Sequence, residues 1–216
     1  MTLPDGPSPV RTAAQGGTEP PQSEGHPGVA GNERLTALAG AVLLALIVAE
    51  VATIPTIRAL MSMHIVVGVT LAGPLAVKTA STGWRFVRYY TNNPAYRRKG
   101  PPHPLLRALA PLLLVSTLVV IGSGIGLVTT RPGNQGVLDL VHKVSFLVWA
   151  VLVGIHVLAY IRRVPGLIAS DWRHDRVRQA PPPGRGQRLA VNLAALLGGV
   201  IAAILVLPAF TAWTHW

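Results

Sequence analysis

The sequence predicts an all-α protein, an integral membrane bundle of five transmembrane helices. Three observations carry that prediction. The mean hydropathy of the 216-residue chain is +0.45 and half of its residues are hydrophobic. Charged residues make up 12%, about half of what a soluble domain of ordinary composition carries. The apolar residues fall in continuous runs of about 20, the length that crosses a bilayer as a helix, and not in the alternating short segments of a membrane barrel. An ordinary soluble enzyme is excluded on these grounds. Cysteine is absent, which removes disulfides, iron–sulfur clusters, thiolate metal sites and covalently attached haem from consideration.

Residues 1–33 are rich in Pro, Gly, Ser, Thr and Gln and lack apolar periodicity, so they are expected to form a disordered tail. They show no basic start followed by an apolar stretch of the kind that marks a signal peptide. Five apolar segments follow, at 35–57, 61–80, 105–129, 137–160 and 189–210. The expected organisation is a tail at 1–33, a four-helix membrane domain at 34–162, a basic linker at 163–188, and a fifth helix with a short end at 189–216.

Basic residues orient the bundle. The connection between the second and third segments holds Lys78, Arg85, Arg88, Arg97, Arg98, Lys99 and Arg107. The connection after the fourth holds Arg162, Arg163, Arg173, Arg176, Arg178, Arg185 and Arg188, against Asp171 and Asp175. Together these are 14 of the 19 Lys and Arg residues, whereas the opposite side has Arg58, Arg131 and Lys143. The positive-inside bias places both basic connections and the N-terminus in the cytoplasm of a plasma-membrane protein, with the C-terminus outside. The net charge of +11 is then a matter of topology and of attraction to anionic lipid, and no nucleic-acid-binding module accompanies it.

Histidines within the bundle carry the functional argument, because an ionisable side chain at membrane depth is costly and marks a site. His142 and His156 lie on the fourth segment in a His-x13-His pattern, about 21 Å apart along a helix and only about 40° apart around it. They share one stripe with Phe146, Trp149 and Val153. No single small ligand spans that distance, but two metal centres stacked across the membrane suit it. Haem matches the available ligands: neutral imidazoles hold a b-type haem without cysteine, and its propionates seek basic residues at the interface. Zinc wants three or four ligands converging at one depth.

The His-x13-His helix in VHKVSFLVWAVLVGIHVLAYIRR, with MHIVVGVTLAGP and STGWRFVRYYTNNPAYRRKGPPHPLLRALAP, resembles the di-haem membrane cytochrome b family. That family includes the b-type subunits of hydrogenases and formate dehydrogenase-like oxidoreductases and small actinobacterial proteins of similar type. The resemblance covers about residues 35–162 and leaves the tail and fifth helix outside it. It implies a four-helix haem-binding core, two b-type haems, and transmembrane electron transfer with a quinone or a redox partner protein such as a molybdopterin oxidoreductase. The chain would then be an electron-carrying subunit and not a complete enzyme.

Depth pairs His64 with His142 at the outer side, since each lies a few residues from a charged outer position, Arg58 or Asp139. For the inner haem, the same x13 interval counted onward from His64 ends on Lys78, not on a histidine. His103, in the Pro-Pro-His-Pro run, is therefore the expected partner of His156, with Arg107 one turn further in to meet a propionate. The competing reading makes His103 an interfacial cap. Gly68, Gly122, Gly124 and Gly126 are read first as packing positions, and Trp149 likewise as packing. Glu50 is read as paired with Arg58 or reaching outward, with proton relay as the alternative. The rival for the whole chain is a haem-free membrane anchor or transporter-like bundle.

Overall fold

The computed structural model describes residues 27–98, 100, 104–130, 136–172 and 182–208, and among these every regular element is helical. Helix α1 spans Pro27–Thr53 and is followed by a 3-10 turn at Ile54–Thr56. Then come α2 (Ile57–Thr70), α3 (Ala72–Tyr90), α4 (Pro94–Arg98), α5 (Pro104–Thr129), α6 (Gly136–Tyr160), α7 (Arg163–Trp172) and α8 (Arg185–Val206). Four helical runs are long and apolar enough to cross a membrane: Pro27–Tyr90, Pro104–Thr129, Gly136–Tyr160 and Arg185–Val206.

The first of these runs doubles back on itself. Asn32 Nδ2 donates to Ser81 O at 3.0 Å, Thr36 Oγ1 to Ser81 Oγ at 2.8 Å, and Thr53 Oγ1 lies 2.8 Å from His64 Nδ1. Sequence positions converge steadily along this series, as they do only in an antiparallel hairpin. Pro55 causes the reversal, since proline lacks an amide hydrogen and disfavours helix in the residue before it. Leu60 completes it with φ −111° and ψ 18°. Beyond the turn α2 and α3 are nearly coaxial, joined by Leu71 in right-handed helical conformation and the Leu71 N–H bond to Val67 O at 3.0 Å.

Helices α5 and α6 form a second antiparallel pair and pack chiefly against each other. Helix α8 packs on the α2–α3 junction and on α1. Its approach is backbone on backbone. A Cβ added to Gly199 would lie 2.4 Å from Thr70 O, and one added to Gly73 would lie 1.9 Å from Ala195 O. Neither position has room for a side chain, the usual reason for small residues where membrane helices cross closely.

Two ion clusters close the end of the bundle at which α1 begins. The Glu33 carboxylate accepts from Arg85 at 3.4 Å and from Arg163 at 3.3 Å, tying α1, α3 and α7 together. Asp171 pairs with Arg188, both buried, with Arg34 at 3.9 Å. Arg188 also donates to Pro183 O at 2.8 Å. These contacts move two of the expected boundaries. Residues 27–33 belong to α1, because Val29 is buried and Glu33 is held by arginines from other helices. The basic linker contains α7, which Asp171 anchors to α8. The remainder of the expected tail lies outside the described residues.

The outward face of α6 is apolar and open: Val137, Leu147 and Leu158 are 77%, 64% and 73% exposed. Large contiguous apolar faces are not sustained in water, so a lipid bilayer is the environment this helical protein fits.

Candidate cofactor site

A large cavity of about 2460 Å³ separates the α1–α3 hairpin from the α5–α6 pair. Ligand pockets for drug-sized molecules run to about 1,000 Å³, so this one has room for more than one large group. The α6 stripe identified in the sequence lines it: His142, Phe146, Trp149, Val153 and His156 all face the cavity. Across from them are His64 on α2 and Lys78 on α3.

His64 and His142 meet. Their ring centroids are 6.5 Å apart and the ring planes are nearly perpendicular, at 87°. Each ring is held from behind through Nδ1. On α1, the Thr53 hydroxyl donates its one hydrogen to Glu50 O at 2.6 Å, so toward His64 Nδ1, 2.8 Å away, it acts as acceptor. The Glu50 carboxylate Oε1 stands 3.1 Å from the same nitrogen. On α5, the Ser123 hydroxyl donates to Val120 O at 3.0 Å and lies 3.1 Å from His142 Nδ1, which is also 3.2 Å from Val120 O. A carbonyl oxygen only accepts, so His142 Nδ1 carries the hydrogen. Both imidazoles are thus set as the Nδ1–H tautomer, which leaves the Nε2 lone pairs available. Neither Nε2 has a hydrogen-bond partner among the described residues. Such an outer hydrogen bond on one ring nitrogen is what a histidine needs if its other nitrogen is to bind a metal.

The chemistry of this pair suits a haem. Two imidazole nitrogens at about 2 Å from one metal put the ring centroids about 6 Å apart, close to the 6.5 Å observed. Among the described residues no group of three or more His, Cys, Asp or Glu side chains converges as an ion-binding cluster. His64 and His142 would be the residues to hold a haem, whose porphyrin would supply the ligands that the chain does not. Small residues shape the walls. A Cβ on Gly124 would lie 3.2 Å from His142 Cε1, and one on Gly68 would lie 3.0 Å from Glu50 Oε1. Gly124 therefore makes room for the imidazole and Gly68 for the carboxylate behind its partner, whereas Gly122 faces open space.

The other expected residues are placed as follows. His156 lines the far end of the cavity, its ring 4.9 Å from that of Tyr160. Arg107 also lines the cavity and donates to the Tyr90 hydroxyl. His103 lies outside the described residues, as do His26, His174 and His215. Trp149 faces the cavity and donates from Nε1 to Thr117 Oγ1 at 3.0 Å. Glu50 is not paired with Arg58: its Oε1 rests on His64, and Oε2 is buried without a hydrogen-bond partner among the described residues. The α1–α2 reversal turns it inward against the neighbouring helix. Arg85 is engaged by Glu33, and Arg88 stacks on Trp84 at 5.2 Å.

No family model, curated protein or solved structure matches the chain. What fold and site define is therefore a class: a helical protein suited to a membrane, with paired histidines meeting in an apolar cavity.

Proposed function

We propose that this protein is an electron-carrying membrane subunit with two b-type haems, one toward each face of the bilayer. The observation that supports it best is the His64–His142 pair, with both Nδ1 atoms anchored and both Nε2 atoms unpartnered among the described residues. In this reading those two imidazoles hold the outer haem. His156, about 21 Å further along α6, holds the inner one, and Arg107 meets an inner propionate. Bound haem supplies a one-electron couple at its iron. The chain positions the imidazoles, keeps water from the cavity with apolar walls, and neutralises propionates at the basic end. Trp149 lies on the stripe between the two sites.

The proposed topology has five crossings, with the α1–α3 hairpin providing two, α5 and α6 one each, and α8 the fifth. The Arg-rich connections face the cytoplasm of the plasma membrane by the positive-inside bias. Partners in this reading are the bilayer and either a quinone or a redox protein of the molybdopterin class.

Purified in detergent, the protein is expected to be red, with reducible b-type absorption bands and about two haems per chain by pyridine haemochrome assay. A preparation that stays colourless, and takes up no haem when it is added, would return the chain to the anchor or transporter reading. A reporter fused after Gly186 is expected to behave as cytoplasmic, and a periplasmic signal there would overturn the topology.

A further inference from the structure

We propose that Lys78 is the second axial ligand of the inner haem, binding the iron through its uncharged amine opposite His156. The inference rests on the two-haem reading above and completes its inner site with a residue other than the expected His103.

Register carries the argument. His64 and Lys78 on the nearly coaxial α2–α3 run are separated by the same interval as His142 and His156 on α6. The two runs flank one cavity, and His64 meets His142 across it. Advancing by that shared interval along each run places Lys78 and His156 at a common depth on opposite walls. Both side chains line the cavity there.

Lys78 is also an unusual lysine for its place. It sits seven residues before Arg85, about 10 Å deeper than the ion cluster that Arg85 joins. Its ammonium group has no hydrogen bond or ion pair among the described residues. That group rests over Gly40 of α1, 2.8 Å from where a Cβ on that glycine would be. The missing side chain at Gly40 thus makes room for the amine, and the four-carbon stem gives it reach into the cavity. A charged group held at this depth without a partner is costly, and ligation removes that cost. The amine gives its lone pair to iron, and the proton it releases goes to water at the basic end.

The test is made on the full-length protein purified in detergent, reduced under carbon monoxide, which binds ferrous haem only at an open axial position. In the unaltered protein both haems are expected to be six-coordinate and unreactive. Lys78→Ala should make about half of the bound haem carbon monoxide-reactive, and added methylamine should restore six-coordination. Lys78→His should keep both haems six-coordinate. Lys78→Arg keeps the positive charge but not the lone pair, so it should behave like Lys78→Ala. Should Lys78→Arg behave as the unaltered protein, Lys78 serves as a counter-ion and the proposal falls. It falls equally if His103→Ala opens the inner haem while Lys78→Ala does not; in that case both haems of the reading above stand. An unaltered protein that binds one haem, or none, would instead overturn the two-haem reading itself. An unfolded Lys78→Ala leaves the histidine and arginine variants to decide.

Discussion

Replacing His64 or His142 by alanine is expected to remove the same haem, cutting haem content by about half in each variant. The double variant should lose no more than either single one, because in the proposed reading both imidazoles serve one iron. The expectation follows from the 6.5 Å approach of the two rings and from the Nδ1 contacts that Thr53, Ser123 and the Val120 carbonyl make behind them. Outer hydrogen bonds of this kind typically govern about 10- to 100-fold in metal affinity. Thr53→Val and Ser123→Ala are therefore expected to weaken haem retention by about that factor without abolishing it. Haem content by pyridine haemochrome and difference spectra of the reduced protein provide the measurement. Full content in either histidine variant would show that the pair does not share an iron.

Loss of the Asp171–Arg188 pair should have the largest effect on stability. Both side chains are buried, the carboxylate accepts from two guanidinium nitrogens, and the pair ties α7 to the first turn of α8. Removing one partner of a buried pair typically costs about 3–5 kcal/mol, because the other charge is left without compensation. Asp171→Ala is thus expected to lower the thermal midpoint of the detergent-solubilised protein by about 10 °C. Arg34, 3.9 Å away, cannot replace Arg188's partner, because it carries the same charge as Arg188. Asp171→Leu combined with Arg188→Leu removes both charges and should recover much of the loss. An unchanged midpoint in the single variant would mean that water reaches the pair.

Much of the cavity wall was legible in the sequence because helical periodicity is a local property. The stripe of His142, Phe146, Trp149, Val153 and His156 follows from 3.6 residues per turn alone, and all five residues line the cavity. The meeting of His64 with His142 was legible from depth, since nearby charged residues mark the ends of apolar runs. Thr53, Ser123 and Gly40 were not. A hydroxyl in an apolar run reads as a polar group bonded to its own helix, as both hydroxyls also are here. Only the crossing of α1 over α2 and of α5 over α6 turns their free lone pairs toward the imidazoles. The inward turn of Glu50 was hidden for the same reason: it depends on the hairpin at Pro55, not on local pattern. Helix α1 was expected to start later than Pro27 because residues 1–33 lack apolar periodicity, and the contacts that hold its first turns come from far along the chain, in Arg85, Arg163 and Asp171.

The cavity between the two hairpins bears on how this protein's stability is to be understood. In most small domains the largest apolar interface is chain against chain, and the unfolding free energy belongs to the sequence. Here α5 and α6 pack chiefly on each other, and the surface they turn toward α1–α3 borders a space of about 2460 Å³. Any molecule that binds this space in the folded protein and not in the unfolded chain adds RT ln(1 + [L]/Kd) to stability, about 2.7 kcal/mol at a hundredfold excess over Kd. Folding and loading are then a single equilibrium. The melting temperature belongs to the solution as much as to the chain, and it rises with the concentration of whatever occupies the middle of the bundle.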